Sequence, residues 1–301
     1  MMPTLRELGE DKLLAQIFPR LNRNSRTLIG AGDDCAVVKF RGAKDWLLFK
    51  TDCVVEEVHF AKETDARRVG WKAMMRALSD FAAMSGIPEF ALITLAISGK
   101  KKVSWVREFY RGLNHAAARF DVAIVGGETS ETVGPTVVVI SVAGFAEPAR
   151  CILRSGGKAN DDLVVTGRLG GSIRGRHLKF VARIEEARWL TANFKVHAMI
   201  DLSDGLGADL PRLAHASKLG FSIDESALPV SRGCTIQHAI SDGEDYELLF
   251  AISPRDRARL EKMWAKKFPN LLLTRIGKLT QQSPINNQQL LSGYVHFQQR
   301  R

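Results

Sequence analysis

Apolar residues recur along the chain at two spacings, which predict an alternation of helices and strands. Residues 4–19 repeat large apolar side chains at near-helical intervals and are expected to form an amphipathic helix. Residues 64–84 keep one apolar face and stop before Gly86 and Pro88, so a second helix is expected there. Further helices are predicted over residues 103–119, 177–190, 204–219 and 254–268.

Short apolar runs between these helices are predicted to be strands. They cover residues 46–51, 90–97, 121–125, 136–145, 163–166 and 271–276, and a turn at 241–247 feeds a further strand. The alternation in each half of the chain predicts an α/β (α+β) protein. We place a boundary after Glu147-Pro148, which gives domains of residues 1–148 and 149–301.

Composition narrows the classes of partner. The formal net charge of +10 over 301 residues favours an anionic partner. Basic residues are scattered and do not interleave with aromatic ones, so nucleic acid is not the expected ligand. The four cysteines form no Cys-x-x-Cys pair, which argues against a zinc site or a disulfide framework. Without a visible signal peptide or membrane-length apolar run, we expect a cytoplasmic protein with no membrane partner.

Carboxylates stand beside apolar runs at several separate places in the chain. Asp33 and Asp34 follow Gly32, and Asp52 ends the apolar run 46–51. An unpaired buried carboxylate is costly, and Mg²⁺ is a natural partner for a cluster of them. The alternative for Gly32-Asp33-Asp34 is a polar turn between two strands.

Four more acidic residues extend this pattern, and three of them have a plainer alternative. Asp80 lies among apolar neighbours, so we expect it to turn inward as a ligand rather than to lie on the surface. Glu128 follows Gly126-Gly127, where the backbone can approach a ligand closely, although a simple glycine turn explains the pair equally well. Asp201 lies inside an apolar run, whereas Asp204 could be a helix N-cap.

Two familiar nucleotide-binding motifs are absent from the sequence. The glycine-rich segment 167–175 has arginines nearby and could hold phosphates, but it lacks the Gly-Lys-Ser/Thr ending of a Walker loop. There is also no Gly-x-Gly-x-x-Gly on a strand-to-helix turn.

Nearly the whole chain resembles the thiamine-monophosphate kinases, which share a superfamily with aminoimidazole ribonucleotide synthetase, selenophosphate synthetase and a hydrogenase maturation protein. The resemblance rests on ordered motifs: Gly32-Asp33-Asp34-Cys35-Ala36, Thr51-Asp52 with Val58-His59-Phe60, Leu78-Ser79-Asp80-Phe81-Ala82-Ala83-Met84, Val125-Gly126-Gly127, Arg154-Ser155-Gly156, Ile200-Asp201-Leu202-Ser203-Asp204-Gly205-Leu206 and Gly243-Glu244-Asp245-Tyr246-Glu247-Leu248-Leu249-Phe250.

This resemblance implies a two-domain PurM-like architecture, a homodimer formed by the N-terminal sheets, and ATP bound in a cleft between domains. It implies Mg²⁺ and ATP as cofactors and thiamine monophosphate as acceptor. The implied metal ligands are Asp34, Thr51, Asp52, Asp80, Glu128, Asp201 and Asp204, of which Asp52, Asp80 and Asp204 are also the implied catalytic residues. The implied nucleotide contacts are Tyr110, Gly127, Glu128, Arg154 and Ser203, and the implied substrate contacts are His59, Glu244 and Phe297.

The implied reaction transfers the γ-phosphoryl group of ATP to the phosphate of thiamine monophosphate. Because the attacking oxygen is already ionised, positioning and charge stabilisation are expected to outweigh general-base catalysis. Two alternatives stay open: a related ATP-using enzyme with another phosphorylated substrate, and a non-catalytic paralogue that binds nucleotide or thiamine phosphate.

The chain departs from the family pattern in four places. Glu128 stands where the family has aspartate, Lys50 where it usually has serine, and Asp242 where it has glycine. The segment between Gly175 and Asp201 is shortened. These departures bear on the identity of the substrate more than on the fold.

Overall fold

Two β-sheets with helices packed between and around them form the computed structural model, which describes residues 4–281. The first sheet has the strand order β1-β2-β3-β6-β4-β5, in which only β4 and β5 run parallel. Its strands are β1 (Thr27–Ile29), β2 (Ala36–Lys39), β3 (Trp46–Val55), β4 (Ile87–Ile97), β5 (Ala123–Glu131) and β6 (Val137–Ala146).

The second sheet is antiparallel throughout, with the order β8-β10-β7-β11-β9. Its strands are β7 (Asp162–Thr166), β8 (Val196–Asp201), β9 (Gly220–Ile223), β10 (Leu248–Ile252) and β11 (Leu273–Thr280). The α-helices of the described part are α1 (Leu5–Leu8), α2 (Glu10–Ile17), α3 (Ala66–Ala83), α4 (Val103–Arg119), α5 (Ile184–Asn193), α6 (Leu206–Ala216), α7 (Ile236–Ser241) and α8 (Arg257–Lys267). The expected mixed α/β class is confirmed.

Helix α3 lies between the two sheets. It begins after Asp65, whose side chain accepts a hydrogen bond from the Arg68 backbone N–H at 3.1 Å. Fourteen of its 18 residues are buried, far more than one apolar stripe would bury. It packs on α4, β3 and β6 on one side and on α5 and β8 on the other. Residues of α3 can therefore meet both sheets.

Helices α3 and α4 approach closely because two glycines lie at their contact. A Cβ atom on Gly112 would lie 1.8 Å from the Arg67 carbonyl oxygen, and one on Gly70 would lie 2.0 Å from the Phe109 carbonyl oxygen. Neither position can hold a larger residue unless the helices separate.

Strand β3 presents alternate residues to the two faces of the first sheet. Leu48 and Val54 are buried toward α3, and Lys50 and Asp52 share that face, whereas Phe49, Thr51 and Cys53 are exposed on the opposite face. We call the opposite face, away from α3, the outer face. This alternation divides the candidate site residues between two surfaces.

In three places glycine makes the structure differ from the predicted elements. The N-terminal helix is divided at Gly9, where φ is 78°. The helix expected over residues 177–190 begins only at Ile184, because left-handed Gly171 and Gly175 impose two short 3₁₀ turns before it. Gly126-Gly127 is not a turn but part of β5, since a Cβ on Gly127 would lie 1.8 Å from the Ile93 carbonyl oxygen of β4.

Within residues 4–281, no helix is both long enough and apolar enough to cross a membrane. Phe297, expected to contact substrate, lies outside the described residues.

Candidate active site

Three aspartates that are far apart in sequence meet at one buried point, and we call them the carboxylate trio. Asp34 lies just before β2, Asp80 in the last turn of α3 and Asp201 at the end of β8. One oxygen of each lies within 4.8 Å of the others, and all three residues are buried. Two sheets and the helix between them thus each supply one member.

The carboxylate trio is electrostatically costly without further positive charge. Burial and the nearby Asp34 raise the pKa of Asp201 to about 6. Burial also raises the pKa of Asp80 well above its usual value, and Asp201, Asp52 and Asp34 add to this although Lys50 opposes it. Asp34 Oδ2 is buried and has no hydrogen-bond partner among the described residues. Three convergent carboxylates with one unpaired oxygen are the ligands that a hard divalent cation takes, so these residues fit Mg²⁺.

Basic side chains already pair with two of the three carboxylates. Lys50 Nζ lies 2.7 Å from Asp80 Oδ1, and Arg154 Nη2 lies 2.6 Å from Asp34 Oδ1. Asp201 instead accepts a hydrogen bond from the Ser79 hydroxyl at 2.6 Å.

Asp52 lies beside the carboxylate trio rather than within it. Arg76 donates to both of its oxygens, at 3.0 and 3.3 Å. Burial acts to raise the pKa of Asp52, but Arg76 and Lys50 outweigh it and the pKa is lowered. Asp52 also contributes to the raised pKa of Asp80, which shows that the two carboxylates interact. Of the four aspartates that were expected to converge, three therefore lie within 4.8 Å of one another and Asp52 adjoins them.

A cleft that is open to solvent adjoins this group of aspartates. Arg76 connects them, because its Nη1 lies 3.7 Å from Glu244 Oε1 while its Nε bonds Asp52. The cleft brings together residues predicted to contact substrate, nucleotide and metal. It is lined by Val58, His59, Arg76, Ile173, Ser203, Asp204, Asp242, Gly243, Glu244 and Tyr246.

Lys72 is buried behind two of the residues that line the cleft, His59 and Glu244. Its ammonium donates to the His59 carbonyl oxygen at 2.5 Å and to Glu244 Oε2 at 2.7 Å. Burial lowers the pKa of Lys72 to about 8, although Glu244 opposes the change. Lys72 thus fixes the two predicted substrate contacts, which come from different parts of the chain.

Asp204 is not a helix N-cap, because helix α6 begins after Gly205. Its carboxylate accepts from Arg212 at 2.5 Å, and Arg212 also bonds Asp209 at 2.9 Å. Asp204 therefore lines the cleft as half of an ion pair.

Thr51 and Glu128 lie on the outer face and do not join the carboxylate trio in this chain. The Thr51 hydroxyl lies 3.1 Å from that of Ser141, and the exposed Glu128 accepts from Ser130 at 3.3 Å. Strand register aligns Glu128 with Cys53 across β4 and β6, three strands from β3, so roughly 14 Å separates them. Residues on opposite faces of one sheet cannot share one ion.

The two remaining nucleotide candidates are also apart from the carboxylate trio in sequence and element. Gly127 lies in β5, three strands from Asp52 in the same row of the sheet. Tyr110 lies on α4 with its ring 5.3 Å from that of Phe109, and burial raises its pKa.

Sequence reasoning missed Lys72, Arg76 and the role of Ser79. All three lie on α3 with Asp80, at intervals of three and four residues that place them along one side of the helix. Basic residues at helical spacing from a buried aspartate are a usable signal, but charged helix positions are ordinarily solvated.

Comparison with known proteins covers most of the chain. The family model for the N-terminal domain of AIR synthase related proteins matches residues 32–146, and the C-terminal model matches residues 137–283. The thiamine-monophosphate kinase of Rhodopirellula baltica is 36% identical over 90% of this chain and 89% of its own length. That of Bacillus subtilis is 32% identical over 90% and 91%.

Solved structures agree with these relatives. AaThiL complexed with AMPPCP and TMP superimposes with a TM-score of 0.84 at 29% identity, over 98% of this chain and 99% of that chain. The thiamine-monophosphate kinase of Stenotrophomonas maltophilia K279a gives a TM-score of 0.74 at 30% identity, over 90% and 94%. The chain therefore belongs to the thiamine-monophosphate kinase family.

Proposed function

We propose that this protein transfers the γ-phosphoryl group of ATP to the phosphate of thiamine monophosphate, giving thiamine diphosphate. The observation that carries the proposal is the convergence of Asp34, Asp80 and Asp201 beside a cleft, in a chain of which 90% matches one of these kinases. AMPPCP, an ATP analogue, and TMP together occupy the related AaThiL, which supports the choice of both reactants.

Asp34, Asp80 and Asp201 would hold Mg²⁺, with Asp52 and Asp204 at the border of the cleft. When bound, Mg²⁺ neutralises phosphate oxygens and stabilises the charge that develops on them during transfer. The unpaired Asp34 Oδ2 supports this assignment. The proposal for Thr51 and Glu128 as ligands requires a site on the outer face, separate from the carboxylate trio.

The chain's own residues would bind and orient the two anionic reactants. We assign the acceptor to the side of the cleft that contains His59 and Glu244, which Lys72 holds together. We assign ATP to Ser203 and Arg154, with Tyr110 and Gly127 as further contacts. The acceptor oxygen is ionised at neutral pH, so the site needs positive charge and alignment rather than a general base. Arg76 at the junction of cleft and cluster supplies such charge.

The test is a turnover assay with ATP, Mg²⁺ and thiamine monophosphate, followed by mass-spectrometric identification of the product. Thiamine diphosphate and ADP should form in equal amounts, and thiamine lacking its phosphate should give neither. ADP without thiamine diphosphate would contradict the proposed acceptor. Nucleotide binding without any turnover would instead favour the non-catalytic paralogue.

A different phosphorylated acceptor is the second candidate, because Arg76 and Lys50 add two cations to the region where substrate and metals would meet. Competition among phosphorylated acceptors at equal concentration distinguishes the two functions. A preference for another acceptor would select the second candidate.

We further propose a homodimer that pairs through the outer face, and a domain boundary at residues 148/149. Exposed apolar residues on the outer face support the pairing: Phe49, Phe90, Leu92 and Val125. The boundary is supported by the path of the chain, which leaves the first sheet at Ala146 and enters the second at Asp162.

A further inference from the structure

Lys50 occupies an unusual position for a lysine, since its ammonium lies beside the carboxylate trio. Its Nζ is 2.7 Å from Asp80 Oδ1, and 23% of its side chain is exposed. Asp52 lies two residues further along the same face of β3, and its negative charge acts to raise the pKa of Lys50. The ammonium therefore faces the carboxylate trio and not bulk solvent.

The charges of the four aspartates around this point are partly balanced by basic side chains. Four carboxylates, Asp34, Asp52, Asp80 and Asp201, meet three basic groups, Arg154, Arg76 and Lys50. Each basic group pairs with a different aspartate, and Asp201 takes a neutral partner, Ser79. Such a cluster attracts fewer added cations than four unpaired carboxylates would.

Lys50 and a divalent ion would also compete for the same carboxylate, that of Asp80. An ammonium at 2.7 Å from Asp80 Oδ1 takes the space and the lone pair that a metal needs on that side of the carboxylate. Two cations on one carboxylate repel each other strongly where solvent is scarce. Arg76 differs, because it pairs with Asp52 outside the carboxylate trio, and Asp34, the partner of Arg154, keeps its buried Oδ2 unpaired.

We propose that the Lys50 ammonium fills one cation position of this site, so that the chain binds one divalent ion fewer than it would without that charge. The inference deepens the proposed function and rests on its requirement for divalent cations. It names Lys50 as a positioning residue that holds Asp80 and sets the metal count.

The experiment counts Mn²⁺ bound to the full chain, without nucleotide or acceptor, by the electron paramagnetic resonance signal of free Mn²⁺. Lys50→Ala should bind one more ion per chain than the parent, and Lys50→Arg, which keeps the charge, should match the parent. Mn²⁺ should also raise the Tm of Lys50→Ala more than that of the parent, because a bound ion replaces the lost ion pair.

Lys101→Ala is the matched control, because Lys101 pairs at 2.8 Å with a single buried carboxylate, Glu56, that is also bonded by Thr136. It should lose stability without gaining an ion. If Lys50→Ala does not fold without metal, folding restored by Mn²⁺ supports the proposal, and Lys50→Met then provides the count. An unchanged count and affinity in both neutral variants would overturn it, since Lys50 would then move aside when metal binds. Because this experiment measures no turnover, its result does not depend on whether thiamine monophosphate proves to be the acceptor.

Discussion

Asp201 differs from the other members of the carboxylate trio in having a hydroxyl as its hydrogen-bond partner. Ser79 donates to it at 2.6 Å, whereas Asp34 and Asp80 are paired with Arg154 and Lys50. Its pKa is raised to about 6, by burial first and by Asp34 next. An acid whose pKa is raised in the folded state lowers stability once it ionises.

We therefore predict that Asp201→Asn stabilises the metal-free protein, by up to about 3 kcal/mol above pH 6. The cost of the native charge is absent below the unfolded pKa, near 4, and grows as pH rises through about 6. The asparagine oxygen can still accept from Ser79. Turnover and the Mg²⁺-dependent rise in Tm should both be lost, and thermal unfolding with and without Mg²⁺ measures this.

Asp162→Asn is the control for this variant. Asp162 is equally buried but pairs with Arg275 at 2.5 Å and Arg257 at 3.5 Å, so its replacement should lower Tm with or without Mg²⁺. A metal-free Asp201→Asn protein that unfolds below the parent would contradict the electrostatic account.

The sequence identifies some site residues better than others for a physical reason. Asp201 was predicted because an aspartate inside an apolar run has no ordinary solvated role. Arg76 and Lys72 were not, because charged residues on a helix are usually solvated, whereas here Asp52 and Glu244 from distant parts of the chain pair with them. Contacts between distant segments decide such cases, and one sequence does not display them.

At the scale of elements, the position of α3 depends on its close contact with α4. Gly112→Ala would place a Cβ 1.8 Å from the Arg67 carbonyl oxygen, so the helices must separate. We predict a loss of about 1–3 kcal/mol, typical of overpacking. Because α3 also holds Arg76 and Asp80, turnover should fall more than stability alone explains.

Chemical denaturation and turnover of Gly112→Ala measure these two effects. Gly134→Ala is a suitable control, since the nearest atom to its added Cβ would be 3.6 Å away. Parent-like stability in Gly112→Ala would show that the two helices are free to adjust.

A second element-scale feature is the bond network at the end of β3. Glu56 accepts from Lys101 at 2.8 Å and from the Thr136 backbone and hydroxyl at 2.9 and 2.7 Å. Burial acts to raise the pKa of Glu56, but these hydrogen bonds outweigh it and lower the pKa to about 2.

We predict that Glu56 stabilises the fold above pH 4.5 and that this contribution disappears as pH falls from 4.5 toward 2. Urea unfolding of the parent and of Glu56→Gln at a series of pH values measures the difference between them. The gap in the free energy of unfolding should be largest near neutral pH and should close in acid. A gap independent of pH would assign the role of Glu56 to packing.

Strand boundaries were the least predictable part of the fold. Residues 121–125 were expected to end before a glycine turn, yet β5 continues to Glu131 because Gly127 fits directly against β4. Helix α4, by contrast, was expected over residues 103–119 and has these bounds, since its pattern is local. Pairing with a neighbouring strand fixed β5, and pairing is not visible in one sequence.

At the scale of the whole molecule, the outer face bears on assembly. Leu92 is 49% exposed there, next to exposed Phe90 and Phe49. We predict that the parent is a dimer at micromolar concentration and that Leu92→Lys shifts it toward monomer, because a charge would be buried in the interface. Size-exclusion chromatography with light scattering checks this.

Val133→Lys is the control, since Val133 is fully exposed outside the strands and its replacement should leave the dimer intact. A parent protein that is monomeric at the same concentration would contradict the proposed pairing.

The alternation along β3 limits how the sequence of this strand can evolve. Lys50 and Asp52 lie on the face of β3 that meets the carboxylate trio, whereas Phe49 and Thr51 lie on the outer face. One strand therefore contributes to two separate surfaces. A substitution can change one of these surfaces without changing the other. A deletion or insertion of one residue changes both surfaces at once, since every later side chain of the strand changes face. Descendants of this chain can therefore substitute the residues of β3 one at a time but cannot change their number. The length of the strand should be conserved for longer than its residue types.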